Sequence, residues 1–268
     1  MIRKSVLAVL LAVSGAQAFA AINVNSTGFT YTQNFDTLPN TGSSNVWAND
    51  STLAGWSLFN ATGAAITALA AGDGSSNTGS FYSFGTTGAT ERALGGTASG
   101  GSYFGSPASG AVAGWIAAAF TNNSGGILND VTIRFDGEQW RNGGNTSAQS
   151  MNMEYGFGSS FATVATWTAA GSAFNWASPV VGATAAAVDG NGAGRVANVG
   201  GTIAASNWGN GSTLWIRWVE NNDVGNDHGL AIDNFSLAVS AVPEPESGAL
   251  FLAGLGLMGL IARRRRAR

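Results

Sequence analysis

The chain has 268 residues, no cysteine and a single histidine, His228. Disulfide frameworks, thiol catalysis and thiolate metal sites are excluded, and with one imidazole most zinc and proton-relay chemistry goes with them. The net charge of −3 is unevenly spread: residues 21–240 carry five arginines and no lysine against thirteen acids, a net −8. That sign is a poor match for nucleic-acid phosphates, so no nucleic acid is expected as a partner; cations or neutral polymers suit it better.

The N-terminus, MIRKSVLAVLLAVSGAQAFA, places Arg3 and Lys4 before an apolar stretch, Val6 to Val13, and then two overlapping small-x-small sites ending at Ala18 and Ala20. This order predicts a signal peptide over residues 1–20, cleaved after Ala20 or Ala18, and export from the cytoplasm. The 220 residues of 21–240 are enough to bury a core without disulfides.

Residues 21–240 read as one all-β domain. Gly, Ser, Thr and Asn divide the chain into short segments, several of which alternate with period two. In GFTYTQNFD, Phe29, Tyr31 and Phe35 share a face, and Asp36 follows them. ATGAAITALAAG, from Ala61 to Gly72, is the best helix candidate and is ambiguous. In NDVTIRFDG, Val131, Ile133 and Phe135 point one way; in SMNMEYGFG, Met151, Met153, Tyr155 and Phe157 do the same. The glycine-rich GGTASGGSYFGSPASG and VDGNGAGR read as long loops or linkers. Many short strands with turn signals between them predict a two-sheet antiparallel β-sandwich, jelly-roll-like.

Three stretches carry candidate chemistry. Glu91 and Arg92 are adjacent opposite charges in a neutral region, which strand alternation would send to opposite faces. FDGEQWRNGGN places Glu138, Trp140 and Arg141 beside turn glycines, the residue types a carbohydrate site uses: an indole to stack on a sugar ring and polar groups for its hydroxyls. The alternative is structural, with Trp140 capping the core and Glu138 paired to Arg141 or Arg217. In TLWIRWVENNDVGNDHGLAIDNFSLAV, Asp233 shares its alternation face with Phe235, Leu237 and Val239. If that face is the core, its carboxylate must be paired or ligate a cation. Arg217 is the candidate partner for a buried ion pair; a structural calcium held by Asp233 and Asp36 is the alternative.

Catalysis is not expected. Asp227 and His228 are adjacent, and neighbours on an extended chain diverge. No two of Glu138, Glu154 and the aspartates are singled out as a glycosidase pair. His228 reads as a solvated turn residue.

The C-terminus, VPEPESGALFLAGLGLMGLIARRRRAR, joins Pro243, Glu244 and Pro245 to an apolar run and then to Arg263, Arg264, Arg265 and Arg266. A helix over about residues 247–262 would span little more than about 22 Å at 1.5 Å per residue, short against a hydrocarbon core of about 30 Å, with the arginines held on the cytoplasmic side. Residues 242–268 resemble the PEP-CTERM sorting signal of Gram-negative bacteria that make extracellular polysaccharide. The resemblance implies recognition by an exosortase, transient residence in the inner membrane, and a destination at the cell surface or in the extracellular matrix. Through SNTGSFYSFGTTGATERALGG, GEQWRNGGN and LWIRWVENNDVGNDHGLAIDNFSL, the body resembles, more loosely, a β-sandwich module of secreted and surface proteins that sometimes accompanies nucleases. No catalytic residues follow from that likeness. The implied function is a non-enzymatic exported protein associated with extracellular polysaccharide; the alternative is a secreted hydrolase acting on polysaccharide or nucleic acid.

Overall fold

The computed structural model describes residues 21–204 and 206–240. The signal helix, the membrane helix and the sorting residues Pro243 to Pro245 and Arg263 to Arg266 lie outside the described residues. Among those described, the strands are β1 Ile22–Val24, β2 Thr30–Gln33, β3 Asn45–Val46, β4 Trp56–Asn60, β5 Ala68–Gly72, β6 Ser80–Phe84, β7 Ala93–Thr97 and β8 Ala111–Asn122. They continue as β9 Asp130–Asn142, β10 Ser150–Phe157, β11 Thr168–Ala169, β12 Trp176–Ala177, β13 Ala186–Ala187, β14 Arg195–Ile203, β15 Thr213–Asn222 and β16 Gly229–Ser240.

Two sheets pack face to face. One runs β1-β8-β15-β10-β11, with β4 also on β8 and β12 on β10; the other runs β13-β9-β16-β7-β6-β5-β3, with β14 also on β9 and β2 on β16. All pairings are antiparallel except β1 with β8 and β5 with β6. The expected all-β, two-sheet sandwich is the fold.

Aromatic rings fill the space between the sheets. Trp218 of β15 stacks on Trp56 of β4 at 5.8 Å, and Phe235 of β16 meets both edge-on at 5.6 and 5.2 Å. Val131, Ile133, Phe135, Met151 and Met153 enter this core as their alternation predicts, and burying each such side chain contributes roughly 1.5–3 kcal/mol. The outer faces are covered as well. Phe59, Phe161 and Trp215 form a second apolar cluster on one sheet, and Tyr82, Phe84, Trp140 and Ala231 form a third on the other. Central strands buried on both faces lose the simple in-out pattern.

Two expectations are corrected here. Ala61 to Gly72 is not helical: Asn60 Oδ1 accepts from the backbone N–H groups of Thr62 and Ala64, which turns the chain back on β4 before β5 begins. The first glycine-rich stretch is no linker, because Gly95 and Gly96 lie inside β7. A Cβ on Gly95 would sit 2.1 Å from the Leu230 carbonyl oxygen, so only glycine allows β7 this close to β16.

Candidate functional site

The outer side of the second sheet gathers three carboxylates from three separate segments. Glu138 comes from β9, Asp233 from β16 and Glu91 from the chain just before β7. One oxygen from each lies within 4.8 Å of the other two. Glu138 and Asp233 are 0% and 2% exposed, while Glu91 is partly buried.

A β-bulge puts Asp233 there. Pairing between β16 and β9 shifts between Asp233 and Ser236, and Asn234 in the gap has φ of +49°. The extra residue reverses the alternation. Ile232, Phe235 and Leu237 face the inter-sheet core, whereas Ala231 packs outside with Trp140. Asp233 is buried as expected, yet it does not share the core face of Phe235, Leu237 and Val239.

Loops roof the cluster. Trp140, two residues after Glu138 on the same face, donates from Nε1 to Glu138 Oε2 at 2.9 Å. Its ring lies nearly parallel to Phe84, with centroids 6.3 Å apart. The VDGNGAGR segment closes over it so tightly that a Cβ on Gly190 would fall 2.3 Å from the indole. From the same segment, Asn191 Nδ2 donates to Glu91 Oε2 at 2.5 Å. A short turn rich in glycine is what this approach requires.

Neighbouring charges are spoken for. Arg195 pairs with Asp136 at 2.7 Å, and Asp136 also accepts from the Asn198 backbone and from Asn234 Nδ2. Arg92 diverges from Glu91 as alternation predicts, and its buried guanidinium donates to Ser83 Oγ at 2.9 Å and to the carbonyls of Ser83, Thr86 and Gly72. Glu138 Oε1 and Asp233 Oδ1 are buried without a hydrogen-bond partner. Burial, with the charges of Glu91 and Asp136 adding to it, pushes Glu138 up to about 7 despite the Trp140 bond. Burial also raises Asp233 to about 8, reinforced by Glu138, Glu91 and Asp36. Oxygen-only donors of this charge suit a hard cation.

The other candidates fall elsewhere. Arg217 does not pair with Asp233; it belongs to the other sheet and binds Glu154 Oε2 at 2.6 Å. Asp36 is exposed and accepts from the Arg92 backbone at 3.1 Å and from Asn34 Nδ2 at 2.6 Å, which makes it an electrostatic neighbour of Asp233 outside the three-carboxylate group. Trp140 is 2% exposed and offers no open face for a sugar, and Arg141 is bound to the carbonyls of Gly74 and Ser75. His228 is not a solvated turn residue: it is 2% exposed, its Nδ1 accepts from the Gly143 backbone at 2.9 Å, and Nε2 lies 3.3 Å from the Ser147 carbonyl.

A feature without a sequence signal is a cleft of about 550 Å³ beside β5 and β6. Ser43, Ser44, Ser76, Thr78, Tyr82 and Tyr103 line it, with small residues and Leu69 between them and no charged side chain. Its serines come from three separate parts of the chain, none patterned on its own. Among the described residues no helix is long and apolar enough to cross a membrane.

Comparison with known proteins gives three results. Residues 241–266 match the PEP-CTERM protein-sorting motif. The N-terminal CBM22-1-CBM22-2 tandem domain of Paenibacillus barcinonensis Xyn10C is similar in structure, at a TM-score of 0.38 and 10% identity over 83% of this chain and 48% of that one. The chain thus spans about half the length of the structure it matches. Comparison with curated proteins returns no match. The chain is a two-sheet β-sandwich that carries, at residues 241–266, a PEP-CTERM protein-sorting motif.

Proposed function

We propose that this is a non-enzymatic protein, exported through its signal peptide, held in the inner membrane by its C-terminal helix until an exosortase acts on the tail, and then placed at the cell surface or in the extracellular matrix. Its sandwich associates there with extracellular polysaccharide. The observation that carries this reading is the sorting motif joined to a body with an uncharged, hydroxyl-lined cleft. Serine and threonine hydroxyls exchange hydrogen bonds readily with sugar hydroxyls, and the cleft presents no ionised side chain whose desolvation would oppose binding. The net −8 of residues 21–240 disfavours phosphate polymers in the same place.

Cosedimentation of the purified protein with the producer's own exopolysaccharide tests this. Ser44→Trp and Thr78→Trp, at exposed positions of the cleft, fill it without touching the core and are expected to abolish retention. Retention that survives both, or is absent from the unaltered protein, contradicts the polysaccharide reading. The competing hydrolase reading draws on Glu138, whose carboxyl is raised to about 7 as a general acid requires. Its complete burial argues against substrate contact, and hydrolysis of polysaccharide or nucleic acid lost on Glu138→Gln would restore that reading.

A further inference from the structure

We propose that Glu91, Glu138 and Asp233 form a calcium site that ties together three segments of the sandwich remote in sequence. Each contributes an oxygen within 4.8 Å of the others. Calcium bonds of roughly 2.3–2.6 Å let one ion bridge oxygens up to about 5 Å apart, whereas magnesium, at about 2.0–2.1 Å, would need them drawn to about 4 Å. The set contains no nitrogen or sulfur donor, which disfavours zinc and copper. Neither arginine next to the cluster forms an ion pair with it: Arg195 is engaged by Asp136 and acts on Glu138 and Asp233 only through longer-range attraction, and Arg92, attracted to Glu91 in the same way, is bound to Ser83 and backbone carbonyls.

Two independent features point to a ligand. Glu138 Oε1 and Asp233 Oδ1 are buried at the cluster with no partner, and a buried carboxylate oxygen without hydrogen bond, ion pair or metal is strongly unfavourable. Two of the three carboxylates are also held by donors outside the cluster: Trp140 donates to the other oxygen of Glu138, and Asn191 to Glu91 Oε2. Fixing the ring of donors through outer hydrogen bonds is how metal ligands are held in place. Three carboxylates leave the other coordination positions to water, which places the affinity in the weak range of extracellular calcium modules, on the order of 10⁻⁴–10⁻³ M. The site then fills outside the cytoplasm, a consequence that rests on the export reading, while the site itself does not.

The full-length protein in mild detergent, stripped with EDTA and titrated with calcium chloride, tests the site directly. One calcium is expected to bind per chain, and calcium at tenfold excess over its Kd is expected to raise the melting temperature by about 3–6 °C, with a smaller effect from magnesium. Terbium in place of calcium is expected to luminesce on tryptophan excitation, because Trp140 touches Glu138, and to be displaced by calcium. Glu138→Gln and Asp233→Asn are each expected to lower calcium affinity at least tenfold. If either fails to fold, Glu91→Gln, at a partly exposed position, provides the same test. Absence of stoichiometric binding, or binding unchanged in the folded variants, overturns the proposal. So would a stability that responds to pH but not to calcium, the behaviour of carboxyls that merely share protons.

Discussion

Arg217 and Glu154 stand directly opposite each other on β15 and β10, with guanidinium and carboxylate 2.6 Å apart. The Arg217 guanidinium also lies 3.9 Å from the centre of the Trp167 ring and 4.8 Å from that of Trp115. A planar cation held by a carboxylate and two indoles is a strong version of both interactions. Arg217→Ala is therefore expected to destabilise the fold by about 1–3 kcal/mol, and Arg217→Lys by about 1 kcal/mol through loss of the planar fork. In double-mutant cycles by denaturant unfolding, Arg217 should couple to Glu154 by more than about 0.5 kcal/mol and to Asp233 not at all.

Trp140 is a structural residue, and its substitution should read out as stability. Trp140→Phe keeps most of the ring but leaves Glu138 Oε2 without its donor. A loss of about 1–3 kcal/mol is expected by urea unfolding at neutral pH, with polysaccharide retention unchanged in the folded fraction.

Gly95→Ala places a methyl 2.1 Å from the Leu230 carbonyl, a backbone atom that cannot rotate away. A loss of more than about 2 kcal/mol, or failure to accumulate as folded protein, is expected. Gly28→Ala is the control, since nothing lies within 4 Å of the added carbon.

Glu220, with Asp227, Glu138 and Asp233, makes stability fall as pH rises. It is 4% exposed, its Oε1 has no partner, and burial with the charges of Asp227 and Asp223 raises it to about 8. Asp227 is raised to about 7 by burial and by Asp223. Raised carboxyls bind protons in the folded chain that the unfolded chain has released. The stability they contribute is complete below the ordinary carboxylate range and is lost as pH rises through about 7 to 8. His228, held below its ordinary value by burial, acts in the opposite sense and costs stability as pH falls below about 6.5. Glu220→Gln should flatten the decline that runs from the ordinary carboxylate range up to about pH 8 and leave the protein at least about 1 kcal/mol more stable than its parent at pH 9, measured by thermal and urea unfolding.

Much of the fold was legible because alternation survives where a strand segment buries one face only. Val131 to Phe135 and Met151 to Met153 bury the residues their pattern selects. The phase of Asp233 was not legible, since one bulged residue, Asn234, separates it from Phe235 and no side-chain pattern reveals a bulge. Glu91, Glu138 and Asp233 each stood out locally, but their meeting depends on β9 and β7 flanking β16, a through-space fact with no spacing signature. His228 looked solvated because its neighbours are turn residues; the Gly143 and Ser147 backbone that covers it comes from a distant loop.

Mass spectrometry of the mature protein from its producing cells tests the central claim most directly. Export followed by exosortase processing is expected to yield a chain that begins after Ala18 or Ala20 and has lost the apolar run and arginines beyond Pro243 to Pro245. A mature chain that still ends at Arg268 would contradict it.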